Sequence, residues 1–187
     1  KSDAMKRRYF VILPLFIIVN AVSCNAQSKD SRQSKTAVKA FGGSMENKEL
    51  VYSGIQKIIS NTDTSSGWVL RGQKLLLTGI VYRSDSRTPA PGVIVYYYHT
   101  NTEGRYVHNP EDKRSMAPNN LGQTHGYIRG WVKTDSSGKY SIYTVRPGAY
   151  PDGTELAHIH LTVKEPNEIP EYYIDDIVFD DDVLMTT

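Results

Sequence analysis

The stretch from Tyr127 to Thr144, YIRGWVKTDSSGKYSIYT, joins two short runs of β-branched and aromatic residues through a polar turn cluster. Asp135-Ser136-Ser137-Gly138 sets a glycine where a positive φ is expected, so the segment predicts a β-hairpin. Working outward, the same texture recurs at Lys74 to Tyr82, Val93 to His99, Ala157 to Lys164 and Tyr172 to Phe179. The hairpin arms, Tyr127 to Lys133 and Lys139 to Thr144, complete the set, and no long helical period lies between the runs. Parallel strands need long crossovers, so frequent short strands without intervening helices predict an all-β fold, an antiparallel β-sandwich.

A chain of 187 residues suits one domain with a real core. A formal charge of +2 offers no electrostatic case for nucleic acid. Tyrosine is the compositional outlier: 13 Tyr against 4 Phe points to rings whose hydroxyls meet partners, water or a metal. Tyr96-Tyr97-Tyr98 raises a rival class, a non-catalytic module binding carbohydrate or protein. A period of two puts Tyr97 opposite its neighbours, so a strand buried on both sides is the simpler reading.

The amino end reads as an export signal. Met5 opens a basic stretch, Lys6-Arg7-Arg8, followed by an apolar run from Tyr9 to Val22 that Pro14 interrupts. That run is shorter than the ~20 residues of a spanning helix. Lys1 to Ala4 read as a cloning remnant or misplaced start. Cys24 is the sole cysteine, and Ala21-Val22-Ser23-Cys24 resembles a bacterial lipobox with Ala21 in place of the usual large aliphatic residue. Two readings stand: a lipid anchor on Cys24, or cleavage after Ala26 with Cys24 unmodified. Either places the protein outside the cytoplasm, touching a membrane only through that anchor. The expected division is signal over 1–26, polar tether and irregular lead-in over 27–66, and sandwich over 67–187. Within the lead-in, Leu50, Val51, Ile55, Ile58 and Ile59 fit a short helix.

In His158-Ile159-His160 the strand period sends both imidazoles to one face and Ile159 to the other. Alone, the pair fits a surface or core role as well as a metal. Its context is Asn101-Thr102-Glu103-Gly104-Arg105-Tyr106-Val107-His108 and Thr144-Val145-Arg146-Pro147-Gly148-Ala149-Tyr150-Pro151. These segments, in this order, are similar to the N-x-x-G-R-Y, R-P-G-x-Y-P and A-H-I-H segments of the intradiol ring-cleavage dioxygenases. Leu77-Thr78-Gly79, Pro91-Gly92-Val93, Arg129-Gly130, Thr134-Asp135 and Gly138-Lys139-Tyr140 agree, so the likeness runs from about Leu75 to Phe179.

The resemblance implies a prealbumin-like sandwich with one Fe(III) per chain, ligated by Tyr106, Tyr150, His158 and His160. Anionic phenolates suit a hard ferric ion, and free Tyr, with a pKa of ~10, ionises at neutral pH only beside such a charge. The implied reaction opens a small aromatic diol between its hydroxyls with dioxygen, giving a muconate-type dicarboxylate without external reductant. Tyr150 would leave the iron and accept a substrate proton. His99, His108 and His125 are expected at the surface or behind the ligands. One departure is Glu155, where well-known members carry an Arg three residues before the first ligand His; a family Gln maps loosely near Asp176. Arg105 and Arg146 are candidates to replace the missing charge, against a plainer reading as solvated arginines. A degenerate member without metal is therefore the second reading. Asp180-Asp181-Asp182 reads as a solvated loop, a calcium site being the lesser alternative, and the absence of a closing turn before Thr187 leaves truncation open.

Overall fold

Seven strands in two sheets account for most of the order in the computed structural model, which describes residues 48–182. The signal over 1–26, Cys24 and most of the polar tether lie outside the described residues, among which no helix is long and apolar enough to cross a membrane. A single helical turn, α1 (Lys48–Tyr52), leads in. The strands follow as β1 (Thr62–Thr64), β2 (Lys74–Ile80), β3 (Ile94–Tyr98), β4 (Arg129–Lys133), β5 (Lys139–Val145), β6 (His158–Lys164) and β7 (Tyr172–Val178), with a 3-10 turn at Ser66–Val69. One sheet has the order β1-β5-β2 and the other β4-β3-β6-β7. The fold is an all-β sandwich, and each of the six strand runs expected from sequence is present within about two residues of its limits.

The hairpin reading of Asp135–Gly138 is corrected. β4 pairs only with β3, whereas β5 pairs with β1 and β2, so the turn is a corner that carries the chain from one sheet to the other. Its local chemistry is as read. Asp135 Oδ1 accepts from the Ser137 and Lys139 amides, and Gly138 has φ +73°. The Gly138 carbonyl then accepts from Val81 N beyond the end of β2, where a Cβ on Gly138 would stand 2.5 Å from the Val81 carbonyl oxygen. Corner and hairpin use one turn chemistry and differ in tertiary partners. Nor is every pair antiparallel: β1 runs parallel to β5, with Asp63 opposite Ile142. The lead-in from Lys48 onward is thus woven into the fold, with β1 in the smaller sheet and Val51 buried.

Strand alternation builds the core. Val95, Tyr97, Val132, Ile142, Ile159 and Leu161 fill one buried cluster, with Leu75, Leu77, Ile174 and Ile177 packed against it. On the other face of β3 and β4, Tyr96, Tyr98 and Trp131 are covered by Val51, Ile55 and Ile59. The three consecutive tyrosines are all buried, Tyr97 on the opposite face from the others, and form no exposed platform.

One ion pair fastens the lead-in. Asp63 on β1 accepts both guanidinium arms of Arg114 at 2.8 Å and the Tyr97 hydroxyl at 2.7 Å, with both charged side chains largely buried. Removing one partner strands the other charge in a low-dielectric setting. Asp63→Ala is therefore expected to lower stability by about 3 kcal/mol, read as a fall in urea midpoint at unchanged slope.

Candidate metal centre

His158 and His160 project from β6 onto one face while Ile159 enters the core. Their Nε2 atoms stand 2.9 Å apart. The opposite nitrogens fix the tautomers: His158 Nδ1 is 2.6 Å from the Leu156 carbonyl and His160 Nδ1 is 2.9 Å from Asp176 Oδ1. A carbonyl or carboxylate only accepts, so each Nδ1 carries the proton and each Nε2 presents a lone pair. At this distance the two Nε2 atoms can share a proton or face one common cation.

The two tyrosines arrive on separate loops. Tyr106 follows β3, Tyr150 follows β5, and the Tyr150 hydroxyl donates to that of Tyr106 at 3.3 Å. The Tyr150 ring lies 5.3 Å from His158 and the Tyr106 ring 6.5 Å from His160. Glycine makes this convergence feasible. Gly104 has φ +74°, and a Cβ there would lie 1.8 Å from the Ala149 carbonyl oxygen; one on Gly148 would lie 2.6 Å from that of Thr102. Gly148 N donates to the Asn101 carbonyl, Thr100 Oγ1 to the Gly148 carbonyl, and Asn101 Oδ1 accepts from the Glu103 and Arg105 amides. The glycines of the two motifs thus let the loops lie backbone against backbone and bring both phenols to the imidazole pair.

Burial, and next the adjacent Tyr150 phenol, pushes the Tyr106 hydroxyl far above its ordinary value. Burial also raises Tyr150, with the carboxylates of Glu155, Asp176 and Asp152 adding to it against the Tyr106 contact. Without a cation both phenols stay protonated. The donor set fits a hard, highly charged ion: two phenol oxygens that need a positive charge to ionise, and two imidazole lone pairs already turned toward each other. Asp176 faces Nδ1 of His160, the edge away from His158, and is placed to orient that ring rather than share an ion with both histidines.

Beside these groups opens a cavity of about 1260 Å³, whose lining includes Tyr98, Tyr106, His125, Tyr150, His160 and Tyr173. Other candidates separate by position. Arg105 and His108 line the cavity. Arg146 does not; it pairs with Asp181 at 2.7 and 2.5 Å and lies 4.4 Å from the Phe179 ring. The solvated reading of the acidic run holds for Asp180 and Asp181, which are exposed, Asp181 while pairing with Arg146; it fails at Asp182, which is buried and accepts from Ala157 N. His99 is not at the surface either: it is buried against Thr144 Oγ1 and the Thr100 carbonyl, and burial holds it down at about 4. Asp176 as the partner of His160, and His125 beside Tyr98, carried no sequence motif; only strand pairing and loop packing reveal them.

A family model described as Dioxygenase matches residues 56–187, most of the chain. A protocatechuate 3,4-dioxygenase beta chain from Burkholderia cepacia is 32% identical over 99 residues, which are 52% of this chain and 37% of that protein. A catechol 1,2-dioxygenase from Acinetobacter lwoffii is 32% identical over 100 residues, 54% of this chain and 27% of that one. The chain thus spans well under half the length of these curated relatives. The dioxygenase domain of a dioxygenase carbohydrate-binding protein fusion from Streptomyces sp. SirexAA-E shares the fold, with a TM-score of 0.50 at 23% identity over 79% of each chain. With the matched segment containing both tyrosine loops and the histidine strand, the chain belongs to the intradiol ring-cleavage dioxygenase family.

Proposed function

We propose that this protein is a non-haem ferric dioxygenase that opens a catechol-type ring between its two hydroxyls, with Tyr106, Tyr150, His158 and His160 as ligands of one Fe(III). The observation that carries the reading is the meeting of two phenol oxygens and two facing imidazole nitrogens beside one cavity. Ferric iron, when bound, supplies the Lewis acidity that ionises the phenols and activates a chelated diol.

The chain's own groups do the rest. His158 and His160 hold their Nε2 lone pairs in place through the Leu156 carbonyl and Asp176. Tyr150 is the proton acceptor: Oη takes one proton from a substrate hydroxyl. The nearby carboxylates of Glu155, Asp176 and Asp152 favour the protonated phenol, which strengthens Tyr150 as a base. Both atoms of dioxygen end in the dicarboxylate product, so no reductant enters. The burial of Tyr96, Tyr97 and Tyr98 leaves the rival carbohydrate-binding reading without its platform. We place the protein outside the cytoplasm, on the strength of the basic stretch and apolar run before Cys24.

Iron-loaded protein is expected to bind one ferric ion and to be coloured by phenolate-to-iron charge transfer. Tyr106→Phe and Tyr150→Phe should each shift or abolish the band. His158→Ala and His160→Ala should weaken iron retention by more than the roughly 10- to 100-fold expected for Asp176→Ala, which removes only an orienting partner. Catechol should shift the spectrum and consume dioxygen without reductant; colour with no dioxygen uptake would mark a degenerate member. Gly104→Ala should lose both colour and iron, because its Cβ has no room beside Ala149. Cell fractionation of wild type and Cys24→Ala is expected to show membrane association only in the former; equal solubility would remove the lipid anchor.

A further inference from the structure

His125 stands in the cavity wall without a part in the ligand set. Its ring lies flat on Tyr98, with centroids 3.6 Å apart and planes tilted by 2°. Tyr98 in turn stacks on His160 at 4.5 Å and ties its hydroxyl to that of Tyr173 at 3.1 Å. The three rings form a column, so His125 lies within two ring spacings of His160 and on the same cavity. Its Nδ1 edge is turned into the protein, 2.7 Å from the buried Tyr96 hydroxyl. Nε2 has no hydrogen-bond partner among the described residues, which makes it the ring nitrogen available to a ligand in the cavity that His125 lines.

We propose that His125 is a specificity-determining residue, whose Nε2 reads an uncharged hydrogen-bonding substituent on a catechol ring held at the four-residue cluster. The assignment rests on the function proposed above. Rigidity supports it: stacking and the Tyr96 contact hold the ring in one orientation, so little ordering remains for a ligand to impose. Charge supports it too. Burial, and then the Arg129 guanidinium, holds His125 down at about 3, so the imidazole is neutral at ordinary pH and offers a donor or acceptor without a counter-charge. Among the described residues lining the cavity, Asp152, Asp175 and Asp176 stand against one guanidinium, Arg105. That balance disfavours a carboxylate substituent, whereas a hydroxyl meets no such penalty.

The test separates the two ring nitrogens. Asn places a polar atom near the position of Nδ1 and nothing at Nε2; Gln reaches the position of Nε2. Iron-loaded full-length protein is titrated without dioxygen, by absorption, with catechol, hydroxyquinol and protocatechuate. Wild type is expected to bind hydroxyquinol roughly fivefold to tenfold more tightly than catechol, the worth of one neutral hydrogen bond, and protocatechuate most weakly. His125→Asn should bring the hydroxyquinol-to-catechol ratio to about one with catechol binding unchanged, while His125→Gln retains most of the preference. Iron content and thermal melting of each variant confirm that the comparison is between folded, loaded proteins. Full preference in His125→Asn, a wild-type ratio near one, or tighter binding of protocatechuate than of hydroxyquinol would overturn the assignment and leave the proposed function standing. A loaded wild type whose spectrum responds to none of the three would overturn both.

Discussion

The contact between the Gly104 and Gly148 loops is the constraint on which the site hangs. Side chains normally keep loops from lying backbone against backbone, since each Cβ claims its own van der Waals space. Here Gly148 N reaches the Asn101 carbonyl, and no Cβ fits on Gly104 beneath Ala149. The tyrosines one or two residues beyond these contacts then fall within hydrogen-bond distance of each other, although 44 residues separate them in sequence. The imidazole pair needs no such device, because strand pleating alone turns both rings one way. A flexible half of the site is thus pinned by glycine packing, and a rigid half comes with β6.

This division explains what could be read from the residues. Six strands were legible because period-two patterning and turn clusters are local signals. β1 was not: three polar residues, Thr62-Asp63-Thr64, carry no pattern, and their strand character comes from pairing with β5 and from Asp63 meeting Arg114. The corner at Asp135–Gly138 was misread as a hairpin for the same reason. The Asx turn and the positive φ of Gly138 are local and were legible; the choice of β2 rather than β4 as the partner of β5 is made by the packing of Ile142 and Tyr140 into the core between the sheets.

The candidate ligands were legible through motifs, whereas their supporting groups were not. Tyr106, Tyr150, His158 and His160 sit in segments whose glycines and order form a pattern. Asp176 reaches His160 across the β6–β7 pairing, at the point where the register shifts between Ile159 and Leu161. Arg129 belonged to a quoted motif, yet nothing in Arg129-Gly130 indicates that its guanidinium is fully buried. It donates through Nη2 to the Leu50 and Ser53 carbonyls and lies about 5 Å from the rings of Tyr96 and Trp131.

The placement of charge follows one logic across the fold. Buried cations are costly unless partnered. Arg114 is met by Asp63 and Arg146 by Asp181, so neither is left over for the cavity. Among the described residues Arg129 has no carboxylate partner and relies on carbonyls and aromatic faces, behind the wall formed by Tyr96 and His125. Among the described residues lining the cavity, Asp152, Asp175 and Asp176 stand against Arg105. In that acidic lining, burial holds the phenols of Tyr106 and Tyr150 in their protonated form. A bound metal would supply the positive charge that ionises them, while Arg114, Arg129 and Arg146 hold the fold around the cavity.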